Sequence, residues 1–210
     1  MYTLYYAPGA ASLVVHWLLI EIGAPHQLVK LDLAAKEQKS AEYLQLNPAG
    51  VVPTLIVDGA PVTECAALAL LLAERHPEAG LEPLRGSRER ATYLMWTLYL
   101  ANTLQPAFRH WWYPAEAAGE EHAAAAQALA AERIGGVFDR LDAHLAAGGP
   151  YICGEQISAV DFLATMLMRW SRNMPRPATE WPNLAACAAR MKARPSFKQL
   201  YEREGLTEWA

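Results

Sequence analysis

Several things are scarce in this chain of 210 residues. It has three cysteines, Cys65, Cys153 and Cys187. Their number is odd and they are scattered, so they form neither a disulfide framework nor a metal-ligand spacing. Charge is sparse: 19% of residues are charged, and 18 basic residues face 22 acidic ones for a formal net charge of -4. No Lys/Arg run or basic stripe is present, which argues against a nucleic-acid partner. Long apolar runs are also missing. Leu13–Ile20 is interrupted and too short to span a bilayer, so no membrane partner is expected. No basic segment precedes Tyr2–Tyr6, which reads as a strand and not as a secretory leader. With so few thiols, a reduced cytoplasm is the expected compartment. No internal repeat is visible.

Apolar residues are plentiful, at 53% of the chain. That is enough for a sizeable core, and the length suits one large domain or two small ones. Thr3–Tyr6 is short, aromatic and bounded by Pro8-Gly9, as a strand would be. Leu13–Ile22 reads as a helix stopped by Gly23 and Pro25, and Gln27–Leu31 as a second strand. A polar helix-prone stretch from Lys36 to Leu46 ends at Asn47-Pro48. Thr54–Val57 and Ala60–Thr63 flank Asp58-Gly59, a strong hairpin signal, and Ala66–Arg75 is a helix ending before Pro77. The order β-α-β-α-β-β-α implies an α/β unit with a mixed sheet.

Pro77 to Ser87 carries Pro and Gly punctuation and reads as a linker. Beyond it the pattern is helical throughout: Arg88–Phe108, Ala115–Leu145, Ala159–Arg172, Leu184–Arg194 and a short final helix. The expected division is an α/β domain over 1–78, a linker over 79–87 and an all-helical domain over 88–210. Within the helical half, Ser158 lies three residues before Asp161, the spacing of a capping box, with Ile157 and Phe162 placed as a hydrophobic staple.

Two segments carry the most specific information. Tyr5-Tyr6-Ala7-Pro8-Gly9-Ala10-Ala11-Ser12 leads from the first strand into the first helix. Asn47-Pro48-Ala49-Gly50-Val51-Val52-Pro53-Thr54-Leu55 leads into the hairpin, which runs on to Thr63-Glu64-Cys65. Together they resemble the glutathione site of the soluble glutathione transferases, and among these the bacterial beta-like class. The capping motif and the helical second half extend the resemblance over essentially the whole chain. It implies a thioredoxin-like first domain, an all-helical second domain, a homodimer, glutathione as co-substrate and no metal. That class usually carries a cysteine directly before the serine of the first segment; here the position is Ala11.

A free thiol with a pKa near ~8.5 gives little thiolate at neutral pH, so an enzyme using glutathione as nucleophile must stabilise the anion. Ser12 stands where the first helix begins, where a hydroxyl and the helix dipole would both favour a thiolate; by position alone the plain N-cap serine is the commoner reading, and the resemblance favours the thiolate-facing one. Tyr6 is the rival catalytic donor, since other classes use a tyrosine near the end of the first strand. Backbone amides at Ala11 and Ser12 are a third way to hold the sulfur.

The resemblance further implies that Val52-Pro53 is a cis turn offering the Val52 backbone to an extended peptide. Glu64 would pair with the γ-glutamyl ammonium, and the Cys65 amide would take its carboxylate. Lys36, with Lys39 as the alternative, would meet the glycyl carboxylate, and Asn102 would reach the partner subunit's ligand. Gln105, Trp111 and Trp112 would line the site for an apolar electrophile, while His16 and His26 read as structural. The implied activity is transfer of glutathione to that electrophile. The alternatives are a glutathione-fold carrier of apolar ligands with little activity, or a glutathione-dependent reductase or peroxidase.

Overall fold

The computed structural model describes residues 1–209, and it divides into two compact units. One comprises Met1–Glu82 together with the segment from Lys192 onward; the other is Pro83–Met191. The first unit contains β1 (Tyr2–Tyr6), α1 (Leu13–Glu21), β2 (His26–Lys30), α2 (Ala41–Leu46), β3 (Thr54–Val57), β4 (Ala60–Thr63) and α3 (Cys65–Arg75). The second contains α4 (Arg88–Tyr99), α5 (Gln105–Trp112), α6 (Pro114–Ala118), α7 (Ala123–Gly148), α8 (Ala159–Trp170) and α9 (Pro182–Lys192). The last helix, α10 (Pro195–Glu204), belongs to the first unit.

The sheet has strand order β2-β1-β3-β4, with β1 and β2 parallel and the other pairs antiparallel. The mixed sheet is the one that the strand and helix order implies, and the arrangement is the thioredoxin-like one that the resemblance implies. The β3–β4 hairpin turns on Asp58 and Gly59, both at positive φ (51° and 82°), the backbone that a two-residue hairpin of this sequence favours.

Helix α1 is apolar on every side, and Leu13 through Leu19 are all buried. Such a helix needs cover all round. β1, α3 and α10 supply it. The expected assignment of residues 88–210 to one helical domain therefore differs from the structure at its C-terminal end. The Trp17 indole donates to Ser196 Oγ at 2.9 Å, Arg194 and Ser196 pair with Glu21, and His16 pairs with Glu204 at 2.8 Å. These contacts lay α10 antiparallel along α1.

Three expected helices are also broken where backbone chemistry intervenes. The 36–46 stretch is a single turn at Glu37–Lys39, then α2, whose start is capped by Ser40 Oγ accepting the Tyr43 N–H at 3.2 Å. The expected 88–108 helix widens over Leu100–Leu104, where the Gln105 N–H reaches the Leu100 carbonyl five residues back. Pro106 follows with no N–H to give, so the ordinary ladder is interrupted there in any case. The expected 115–145 helix is split after α6 by Gly119 at φ 74°. No helix among the described residues is long and apolar enough to cross a membrane.

The Ser158–Asp161 spacing forms the expected capping box at α8. Asp161 is fully buried; Oδ1 accepts the Ile152 N–H, while Oδ2 accepts the Ser158 N–H and hydroxyl, at 2.8 to 3.0 Å. Burial pushes its carboxyl up to about 6, against the pull of these donors. Asp161→Ala strands three buried donors and should cost about 3 kcal/mol, lowering Tm by roughly 6–12 °C in a thermal melt. Because the folded pKa lies above the unfolded one, the folded state holds a proton that the unfolded chain has lost between pH ~4 and ~6. The stability of the parent relative to Asp161→Asn should therefore be highest below that window and decline as pH rises through it, as read by urea unfolding at stepped pH.

Candidate functional site

The turn between β1 and α1 is closed from inside. The Ser12 side chain is fully buried, and its hydroxyl donates to the Ala7 carbonyl (3.1 Å) while accepting the Ala7 N–H (3.2 Å). Ser12 therefore pins the turn, and its hydroxyl faces the turn and not solvent. Tyr6 is also buried, with its ring 5.6 Å from that of His16. Burial, with the Glu204 carboxylate nearby, pushes the Tyr6 phenol above its usual 10, so the phenol stays protonated.

The backbone tells the opposite story. The Ala10 N–H reaches the Ala7 carbonyl and the Leu13 N–H reaches the Ala10 carbonyl. The N–H groups of Ala11 and Ser12 find no acceptor among the described residues. They stand at the start of α1, where unpaired amides and the helix dipole concentrate positive charge.

The second segment lies beside the first. Ala7, Tyr43 and Val52 form one buried apolar cluster, packed by Tyr5, Ala10, Leu31 and Leu46. The Val52-Pro53 bond is cis, and the Val52 N–H and C=O have no partner among the described residues. Two donors hold the preceding loop at the Val51 carbonyl, the Asn47 side-chain amide and the Tyr43 hydroxyl, each at 2.7 Å. Lys39 Nζ donates to the Ala49 carbonyl at 3.0 Å. Gly50 sits beneath it at φ 59°, and a Cβ there would lie 2.8 Å from the Lys39 side chain and 2.9 Å from the Gln38 carbonyl. No local sequence pattern signals this close approach. Lys36, by contrast, is exposed, at φ 60°, with no side-chain partner among the described residues.

Glu64 is the residue preceding α3, exposed and at φ 68°, a region non-glycine residues rarely occupy. Cys65 opens the helix and is buried. Glu64 and the Ala11–Ser12 amides thus mark the starts of two helices in the same unit. In the helical unit, Asn102 is exposed on the wide turn and Gln105 is half-buried at the start of α5. Trp111 is half-buried, its carbonyl accepting the Gln127 side-chain amide at 3.0 Å, and Trp112 is 42% exposed. Burial pushes the Cys153 thiol up to about 11 and that of Cys187 up to about 12, so both remain protonated. Among the described residues, no three His, Cys, Asp or Glu side chains are grouped so as to hold a metal ion.

Family models agree with this geometry. The glutathione S-transferase N-terminal domain matches residues 1–74 and the glutathione S-transferase C-terminal domain matches residues 102–204.

The chain belongs to the glutathione S-transferase family.

A glutathione S-transferase of Escherichia coli O157:H7, GstA, is 30% identical over 206 residues, covering 97% of this chain and 98% of that protein. A sphingomonad glutathione S-transferase solved in complex with glutathione is 32% identical, with a TM-score of 0.84, over 98% of this chain and 100% of the other. A bacterial beta-class glutathione S-transferase from Sphingomonas chungbukensis is 30% identical, also with a TM-score of 0.84, over 98% and 100%. Within this family framework, the two sequence segments singled out at the start are the two loops that the apolar cluster joins.

Gly50→Ala should destabilise the protein by about 1–3 kcal/mol, since both the positive φ and the Lys39 contact oppose a side chain. A urea midpoint equal to the parent's would show that the loop simply moves aside.

Proposed function

We propose that this chain is a glutathione transferase that binds reduced glutathione in its α/β unit and favours its thiolate through backbone N–H groups. The observation that carries the proposal is the pair of unpartnered amides at Ala11 and Ser12, at the start of α1, beside a Ser12 hydroxyl already engaged with Ala7. Ser12 then acts through its amide and through the turn it pins. Tyr6, buried and protonated, packs against His16 and does not donate to the sulfur.

The rest of the tripeptide follows from the same kind of argument. The open Val52 N–H and C=O suit the cysteinyl backbone of glutathione, which would pair there as an extra strand. Glu64 would meet the γ-glutamyl ammonium, with the Cys65 end of α3 favouring the adjacent carboxylate. Lys36 is the lysine available for the glycyl carboxylate, because Lys39 is tied to Ala49. The thiol proton leaves to solvent, the sulfur forms a bond to the electrophilic carbon, and a leaving group or an added proton completes the reaction. Proximity supplies much of the rate. An apolar electrophile is the proposed acceptor, with Trp111, Trp112 and Gln105 as its surface in the helical unit.

A homodimer in the cytoplasm is proposed as the working form. Leu94, Met95 and Leu98 of α4 are 37%, 41% and 53% exposed, and their spacing puts them on one helix face with Asn102 one turn beyond. Leu98→Glu should shift the light-scattering mass toward that of a monomer; a dimer of unchanged stability would move the interface elsewhere.

The deciding experiment is a titration with reduced glutathione, following heat and thiolate ultraviolet absorbance across pH. Binding with a lowered thiol pKa supports the transferase. Binding with an ordinary thiol pKa would favour the ligand carrier or a two-glutathione reductase, and absence of binding at millimolar glutathione would refute the site. Ser12→Ala should cost about 1–3 kcal/mol of stability through its two lost hydrogen bonds, and raise the thiol pKa only slightly, by loosening the turn. A large rise in that pKa would return the role to the hydroxyl.

A further inference from the structure

The helical unit holds a cavity of about 330 Å³ between the middle of α7 and the segment 174–181. Gln105, Trp111 and Trp112 do not line it. Glu132, Gly135, Gly136 and Asp139 do, and their three-and-four spacing puts them on one face of α7. Adjacent glycines weaken a helix, because glycine has the most backbone freedom to lose. The structural reasons for keeping a glycine are absent here. Neither Gly135 nor Gly136 has a positive φ, and a Cβ at either would meet nothing within 4 Å. A side chain at these positions would instead obstruct the cavity that both residues line.

The opposite wall is aromatic and charged. Trp181 is buried, its indole N–H donates to Asp139 Oδ1 at 2.7 Å, and its ring packs on Phe138 at 5.3 Å. The Arg176 guanidinium lies over the same ring, 3.5 Å from its centre, and 3.8 Å from Asp139 Oδ1. That separation is too long for a hydrogen bond, and the guanidinium makes none among the described residues. The Arg176 side chain is 55% exposed. Pro175 and Pro177 flank it, and Ser171 Oγ accepts the Ala178 N–H at 2.8 Å, so the backbone of this wall is held in place.

An aromatic face beside a carboxylate is the chemistry that recognises a cation. In this structure the chain's own arginine fills that place, by stacking and a loose ion pair alone. Glu132, about 10 Å along the helix from Asp139, has no hydrogen bond or ion pair among the described residues and adds a second negative charge. Ile134 and Met174, both buried, supply apolar wall.

We propose that this cavity binds a flat aromatic cation: its ring lies against the bare Gly135–Gly136 backbone, and its charge replaces the Arg176 guanidinium between Trp181 and Asp139. The inference does not depend on the glutathione site. An anion would need Arg176 and would be repelled by both carboxylates, so the two charge types predict opposite responses to the same substitutions.

The test is calorimetric titration of the full chain with 9-aminoacridine, a flat cation. Acridine, uncharged at mildly alkaline pH, and the anion acridine-9-carboxylate are the matched controls. The cation should bind at least ~10-fold tighter than either control. Asp139→Asn keeps an oxygen for the Trp181 indole and removes the charge, and should weaken the cation ~5-fold; Glu132→Gln should weaken it ~2-fold. Arg176→Ala vacates the place and should tighten the cation ~3-fold or more. Gly135→Leu should weaken it at least ~10-fold by filling the cavity. Gly135→Ala and Gly136→Ala should each raise Tm by roughly 2–4 °C while weakening the cation, and they carry the test if Gly135→Leu does not fold. Absence of 9-aminoacridine binding at ~1 mM would overturn the inference. So would a preference for the carboxylate that Arg176→Ala abolishes, or cation binding that neither Asp139→Asn nor the glycine variants weaken. A lower Tm in both alanine variants would show that the glycines serve the fold, and would overturn it as well.

Discussion

The burial of α1 is the constraint on which the rest of the first unit depends. A nine-residue helix with Leu13 through Leu19 all out of water cannot rest on a sheet face alone. It needs α3 on one side and α10 on another, and that need recruits the end of the chain into the first unit. Its polar residues then dictate the details. His16 requires a partner inside the core, and Glu204 is that partner; Glu21 at the far end is met by Arg194 and Ser196. The start of the helix is fixed by the same packing, so the open amides that precede it are held on a rigid element.

Within the site, side chains and backbone divide their tasks. Ser12, Tyr43, Asn47 and Lys39 all bond to backbone groups of the two loops, and none of these bonds is directed outward. Among the described residues, the groups of these two loops left without protein partners include the Ala11 and Ser12 N–H and the Val52 N–H and C=O. Under the proposed function, alanine at position 11 suits this arrangement. A backbone amide is the same donor whatever side chain it carries, and a small side chain leaves the approach open.

Much of the fold was legible along the chain, for a local reason in each case. The hairpin flanking Asp58-Gly59 has the expected bounds because only a few turn types close two residues. Helix α8 starts where Ser158 and Asp161 cap it. Both depend on residues within a few positions of one another. The breaks at Gly119 and around Pro106 also had local signals, which a reading by apolar period passes over. Of the site, the two loops were legible as motifs. The direction of the Ser12 hydroxyl was not, because a serine before a helix can turn either way and the nearby Ala7 backbone decides.

By itself, the sequence determined the order of strands and helices, the two-part organisation into an α/β segment and a helical segment, and the family. Those are written in periodicity, turn residues and short motifs. Only the tertiary structure decided that α10 joins the first unit, that Glu204 stands between Gly9 and His16, that Gly50 must lack a side chain under Lys39, and which donors remain free for a ligand. Each of these is a meeting of groups distant in sequence or a count of hydrogen bonds already made, and neither quantity exists until the chain has closed on itself.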